Sequence, residues 1–137
     1  MSTTLFKNVR LIDGSGAAPV AAEVLVQGNR IAEVSKEPGK LSGDRVIDGG
    51  GRTLMPGLCD AHTHFSWVNQ TSLDTIGLMP VEEHVLAAAA NAKTYLDYGY
   101  TSCVGAAAAK PRLDVVIRNA INSGQIPGPR YSANGPE

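Results

Sequence analysis

The sequence predicts an α/β fold in which a small all-β unit precedes alternating strands and helices. Three observations carry this: short strands with turn punctuation over the first 54 residues, a change to β-α-β-α-β order beyond them, and helix stop signals at Gly99 and Gly124. Of the 137 residues, 43% are hydrophobic and 18% charged, which suits a globular chain with one modest core and a second, smaller one. The formal net charge is −1. No lysine- or arginine-rich block occurs, so neither nucleic acid nor an anionic membrane surface has an electrostatic footprint here. No apolar run approaches the ~18 residues that span a bilayer, and the N-terminus lacks the basic-then-apolar pattern of a secretory signal. A cytoplasmic location is the default expectation. Cys59 and Cys103 are too few for a disulfide framework or a Cys-based zinc site and read as small buried hydrophobes.

The elements follow in order. "TLFKNVRLID" alternates loosely and ends at "DGSG"; "EVLVQ" runs into Gly28-Asn29, and "RIAEVS" follows at once, a hairpin signature. A strand at Arg45–Asp48 stops at three consecutive glycines, residues 49–51. These read as a turn, because no G-x-G-x-x-G opens a helix there. Met55-Pro56-Gly57 marks the next boundary, so residues 1–54 form one unit and residues 55–137 another. Residues 57–65 are a strand. Residues 80–99 are a helix with Pro80 in its first turn, Glu82 and Glu83 at the positive end of its dipole, and Gly99 as its stop. Its apolar stripe is Val81, Val85, Ala88, Ala92 and Leu96. Residues 100–107 are a second strand. Residues 112–123 are a second helix, with Leu113, Val116, Ile117, Ala120 and Ile121 on one stripe. The alanine runs at 87–90 and 106–109 read as helix–sheet contacts, and residues 126–137 turn the chain into a third strand. This order implies parallel strands with right-handed crossovers. Two complete units cannot close a barrel and leave an open sheet edge. The expectation is an N-terminal portion of a longer protein that lacks a cooperative melt when isolated.

One stretch carries chemistry: "LMPGLCDAHTHF", residues 54–65, places two of the chain's three histidines one residue apart. In a strand, residues i and i+2 share a face, so Asp60, His62 and His64 are expected on one side and Cys59, Ala61 and Thr63 on the other. Two convergent imidazoles suit a divalent metal. An arbitrary H-x-H is more often a surface or hydrogen-bonded pair than a metal site, so the bare pattern is weak.

The surroundings strengthen it. "LMPGLCDAHTH" resembles the strand-1 signature P-G-x-x-D-x-H-x-H of the metal-dependent amidohydrolase superfamily. The upstream "LFKNVRLIDGSG", "EVLVQGNRIAEVS" and "RVIDGGGRTLMPG" resemble that superfamily's N-terminal β-sandwich segment. Downstream, "LDYGYTSCVGAA" and "VVIRNAINSGQIPGPRYSANG" resemble the branch of imidazolonepropionase-like enzymes, Xaa-Pro dipeptidases and phenylurea or carbamate hydrolases. Relatives often carry Arg-Asp where this chain has Val104-Gly105. The resemblance implies the N-terminal part of a (β/α)8 barrel preceded by a small β-sandwich segment, with the site at the C-terminal strand ends. His62 and His64 match the metal ligands of that motif, for one or two divalent ions, zinc first among them. It implies hydrolysis of an amide, cyclic amide, urea or carbamate C–N bond by a metal-activated water, and a homo-oligomer acting on a small molecule. The remaining ligands and the proton-handling aspartate belong to later strands, so no catalytic residue is expected within this chain. A metal-dependent decarboxylase or isomerase, or a non-catalytic assembly member, are the alternatives; an intact H-x-H argues against the last.

Trp67, in the loop after the ligand pair, is the candidate substrate-binding wall, with Phe65 and Met79 as further apolar lining. Residues 65–79 contain no lysine or arginine, which favours a neutral amide, carbamate or aryl-urea over an anionic dipeptide. His84, off the apolar stripe and beside two glutamates, reads as solvated or helix-flanking and not as a metal ligand. Asp60 reads as a group that orients its neighbours. Tyr95, Tyr98 and Tyr100 read as core or interface.

Overall fold

The structure is a computed structural model that describes residues 2–68 and 72–134. The chain divides into two compact units, Met1–Pro56 and Gly57–Glu137. The result is a mixed α/β architecture.

The first unit is one sheet of β1 (Thr3–Leu11), β2 (Val20–Gln27), β3 (Arg30–Ser35), β4 (Arg45–Asp48) and β5 (Thr53–Leu54). Its order is β3-β2-β1-β4, with β5 also paired to β1. β1 runs antiparallel to β2 and parallel to β4 and β5. Gly28, at φ 60°, opens the two-residue hairpin loop predicted between β2 and β3. β1 itself carries a bulge. Phe6 pairs with Val24 and Val9 with Ala22, so Lys7 and Asn8 stand opposite one residue, and Asn8 takes the left-handed region at φ 53°.

The glycine triplet docks on that bulge. Gly49 donates to the Lys7 carbonyl at 2.9 Å and Gly51 to the Asn8 carbonyl at 2.8 Å. A Cβ at position 49 would stand 2.5 Å from Val9 Cγ1, so the close approach admits only glycine. The buried apolar residues here are Leu5, Val9, Ala22 and Val24. Glu23 is buried as well, and its carboxylate accepts from the backbone N–H groups of Gly39 at 2.8 Å and Leu41 at 3.2 Å. Those bonds, Gly39's first, hold its carboxyl below the usual carboxylate range.

The second unit is a parallel sheet of β6 (Leu58–Thr63), β7 (Tyr100–Gly105) and β8 (Arg130–Ser132) in that order, joined by α1 (Val81–Asp97) and α2 (Leu113–Asn122). α1 begins after Pro80 with Glu82 and Glu83 in its first turn. It ends at Gly99, in the left-handed region at φ 91°, whose N–H reaches the Leu96 carbonyl at 3.0 Å. The expected stripe holds from its second member onward: Ala88 and Ala92 are fully buried and Val85 packs against the core, while at the N-terminal end Val81 is 51% exposed and His84 is the fully buried residue. On α2, Leu113, Asp114 and Ile117 are buried, and Val116 is 42% exposed.

The core of this unit joins Phe65, Ala88, Ala92, Cys103, Ile117 and Tyr131, with Tyr95 and Tyr100 packed against it; Tyr98 is exposed. Small alanines let α1 approach the sheet closely, as the alanine runs suggested. Burial pushes the Cys103 thiol up to about 11. Cys59 is exposed, contrary to expectation. It pairs with Ser102 on the outer strand β6, one position from Asp60, which pairs with core Cys103, so its side chain falls on the opposite sheet face. No helix among the described residues is long and apolar enough to cross a membrane.

Candidate metal centre

The two histidines meet at the end of β6. His62 is exposed and His64 half-buried just past the strand, and their Nε2 atoms lie 3.2 Å apart. The rings are nearly perpendicular, with centroids 5.0 Å apart. His64 Nδ1 lies 3.2 Å from the Ala107 carbonyl. That carbonyl can only accept, so Nδ1 carries the proton and the Nε2 lone pair is directed toward His62.

The expected face-sharing fails for Asp60. A register shift separates the Asp60–Cys103 pair from the Thr63–Gly105 pair, and the extra residue breaks the strict two-residue alternation. Asp60 therefore sits beside Cys103, in a depression shared with Tyr95 and Tyr100, away from the ligand pair. Its carboxylate accepts from the His62 backbone N–H at 3.0 Å, which is an orienting contact of the kind expected.

The loop beyond the strand is tied down on every side. Phe65 is fully buried and stacks on Tyr131 at 4.2 Å, so it belongs to the core and not to a substrate wall. Asn91 donates to the Phe65 carbonyl at 3.0 Å, and the Ala109 N–H donates to Ser66 Oγ at 2.9 Å. Trp67 stacks on His64, with centroids 3.7 Å apart and an interplanar angle of 15°. The residue proposed as a wall thus packs directly on a candidate ligand.

His84 is not solvated. It is fully buried, and its Nε2 donates to the Ser66 carbonyl at 2.5 Å. The reason is tertiary: the loop folds over the first turns of α1 and brings it a carbonyl. Sequence reasoning also passed over Asp114 and Tyr131. Asp114 is fully buried and accepts from the Tyr131 hydroxyl, while its Oδ1 has no partner among the described residues. Burial raises its carboxyl above the usual range, against the pull of the Tyr131 hydroxyl. An aspartate adjoining the Leu113–Ile117 stripe was the available signal.

The residues present fit part of a metal shell. A tetrahedral zinc at 2.0–2.1 Å from two imidazoles separates their nitrogens by about 3.3 Å, close to the 3.2 Å found between the two Nε2 atoms. The Ala107 carbonyl supplies the outer hydrogen bond that fixes a ligand's tautomer. Among the described residues no group of three metal-capable side chains converges, so further ligands are not supplied by them.

The profile of the amidohydrolase family matches residues 45–120, more than half of the chain. The chain belongs to the amidohydrolase family. A 5-methylthioadenosine/S-adenosylhomocysteine deaminase from Thermococcus sibiricus is 38% identical over 76 residues, 55% of this chain and 18% of that protein. An amidohydrolase crystal structure superposes over 98% of this chain and 32% of its own, at 31% identity and a TM-score of 0.84. A Xaa-Pro dipeptidase with methionine bound in its active site does so over 98% and 34%, at 28% identity and 0.79. The amidohydrolase chain spans less than a fifth of this curated relative and about a third of these solved chains. Proteins of this family are hydrolytic enzymes, metal-dependent as a superfamily.

Proposed function

We propose that the intact protein is a metal-dependent hydrolase of C–N bonds in a small-molecule amide, cyclic amide, urea or carbamate. In this reading Met1–Pro56 belongs to a β-sandwich and Gly57–Glu137 to the first βα units of a (β/α)8 barrel, in a homo-oligomer. The observation that carries the proposal is the convergence of the His62 and His64 Nε2 atoms at 3.2 Å. Both residues hold the metal, zinc by preference for imidazole nitrogen. Bound there, a divalent ion supplies a Lewis acid for the carbonyl oxygen and an activated water.

The chain's own residues prepare that site. Asp60 fixes the backbone at His62, Ala107 sets the His64 tautomer, and Trp67 holds the His64 ring plane while shielding one of its faces from water. The test is metal analysis of the purified intact protein. His62→Ala and His64→Ala should each lower bound metal at least tenfold; wild-type metal content in both variants would overturn the assignment.

A further inference from the structure

The loop after β6 and the loop after β7 form one rim. Three hydrogen bonds tie them: His64 Nδ1 to the Ala107 carbonyl, the Ala109 N–H to Ser66 Oγ, and the Lys110 ammonium to the Gly77 carbonyl. Between the loops lies a cavity of about 320 Å³, lined by Trp67, Leu73, Ile76, Ala108, Lys110 and Pro111. Its volume falls at the lower end of small-molecule sites. The indole of Trp67 lines this cavity and also stacks on His64, so an occupant is next to the candidate metal centre.

Lys110 is the one charged residue lining this cavity, and its tie to the Gly77 carbonyl does not neutralise its charge. It is half-buried, yet the ion pairs among the described residues are made by Lys7, Lys40 and Lys93. Its one described contact is the Gly77 carbonyl, which uses one of three ammonium donors. A cation lining a cavity whose other side chains are apolar, with two ammonium donors beyond its bond to Gly77, is arranged for an anion that arrives from solution. The loop carrying it is also held in an unusual conformation, with Arg112 in the left-handed region at φ 65°.

We infer that Lys110 and Trp67 form a substrate-recognition subsite for a carboxylate, with the ammonium pairing the anion and Trp67, Leu73 and Ile76 packing the adjoining apolar group. This rests on the hydrolase reading above and names the substrate class of that same site. It replaces the neutral-substrate expectation, which considered only residues 65–79. The cation comes from the next loop, which three hydrogen bonds bring alongside.

The experiment measures binding of N-acetyl-L-leucine and its neutral isostere N-acetyl-L-leucinamide to the intact, metal-loaded protein, and to Lys110→Met and Lys110→Arg. Wild type should prefer the carboxylate by about tenfold, the yield of one charge-assisted hydrogen-bonded pair. Lys110→Met should lose that preference while binding the amide as before, which also shows that the variant is folded, and Lys110→Arg should keep most of it. Equal affinity for both probes in wild type, or a preference unchanged in Lys110→Met, overturns the subsite. Metal content is read separately: a protein that binds metal and discriminates nothing sinks the subsite alone. One that binds no metal but discriminates through Lys110 sinks the hydrolase reading alone.

Discussion

The Tyr131 hydroxyl reaches the buried Asp114 carboxylate by passing directly over Gly105. A Cβ built on Gly105 would lie 2.4 Å from that hydroxyl, which bonds Asp114 Oδ2, while Oδ1 has no partner among the described residues. Three residues from β7, α2 and β8 therefore constrain one another, and the missing side chain at 105 is what lets the phenol through.

The coupling is measurable as a double-mutant cycle in denaturant unfolding of the intact protein. Tyr131→Phe removes the hydroxyl that Asp114 Oδ2 accepts from and should cost about 1–3 kcal/mol. Gly105→Ala should cost a similar amount by pushing the phenol off Asp114. In the Tyr131→Phe background the hydroxyl is gone, so Gly105→Ala should cost distinctly less. Strict additivity of the two substitutions would show that Gly105 is not there to admit the phenol.

Trp67 gives a second prediction, because its indole is stacked on His64. Packing of that kind restricts the ring to the orientation in which Nε2 faces His62. Trp67→Ala should weaken zinc affinity of the intact protein about tenfold, in the range found for outer-sphere support of a ligand, and Trp67→Phe should retain most of it. Competition with a chromophoric chelator reads both. Unchanged affinity in Trp67→Ala would reduce the stacking to packing without consequence for the site.

Glu23 sets a pH dependence for the first unit. Its folded carboxyl is held below the ordinary value by the Gly39 and Leu41 N–H groups. The unfolded state therefore takes up the proton first as pH falls. The stabilisation is fully present above the unfolded carboxylate pKa of about 4.3 and disappears as pH drops through the folded value. Stability of wild type relative to Glu23→Gln should be constant from pH 7 to about 5 and shrink below that. A difference that grows with acidity has the wrong sign for this account.

Where local chemistry decides structure, the sequence was readable. Gly28-Asn29 announced a hairpin, Pro80 and Gly99 bracketed α1, and the H-x-H pair does converge. What escaped depends on contacts distant in the chain. Asp60 left the ligand face because of a register shift that no alternation rule displays. Asp114 found its partner 17 residues away on β8. Phe65 went into the core because Tyr131 offered it a stacking face. Lys110 came beside Trp67 through ties between two loops that sequence order keeps apart.

His84 is the sharpest of these reversals, and it carries the last prediction. Two neighbouring glutamates and a position off the apolar row suggested solvent, yet the imidazole is fully buried and donates from Nε2 to the Ser66 carbonyl. That carbonyl belongs to a serine that is itself fully buried and whose hydroxyl receives the Ala109 N–H, so one bond from α1 pins the loop next to the ligand pair. His84→Leu keeps the volume and removes the donor. It should cost about 1–3 kcal/mol, the desolvation penalty of a buried carbonyl left unpaired, and should speed hydrogen exchange at Trp67 and Ala109 as the rim loosens. His84→Gln, which can still present an N–H, should recover part of both. If His84→Leu melts with wild-type stability and leaves exchange at Ala109 unchanged, the histidine is filling space and the rim is held by its other bonds, the three between the loops and the one from Asn91 to Phe65.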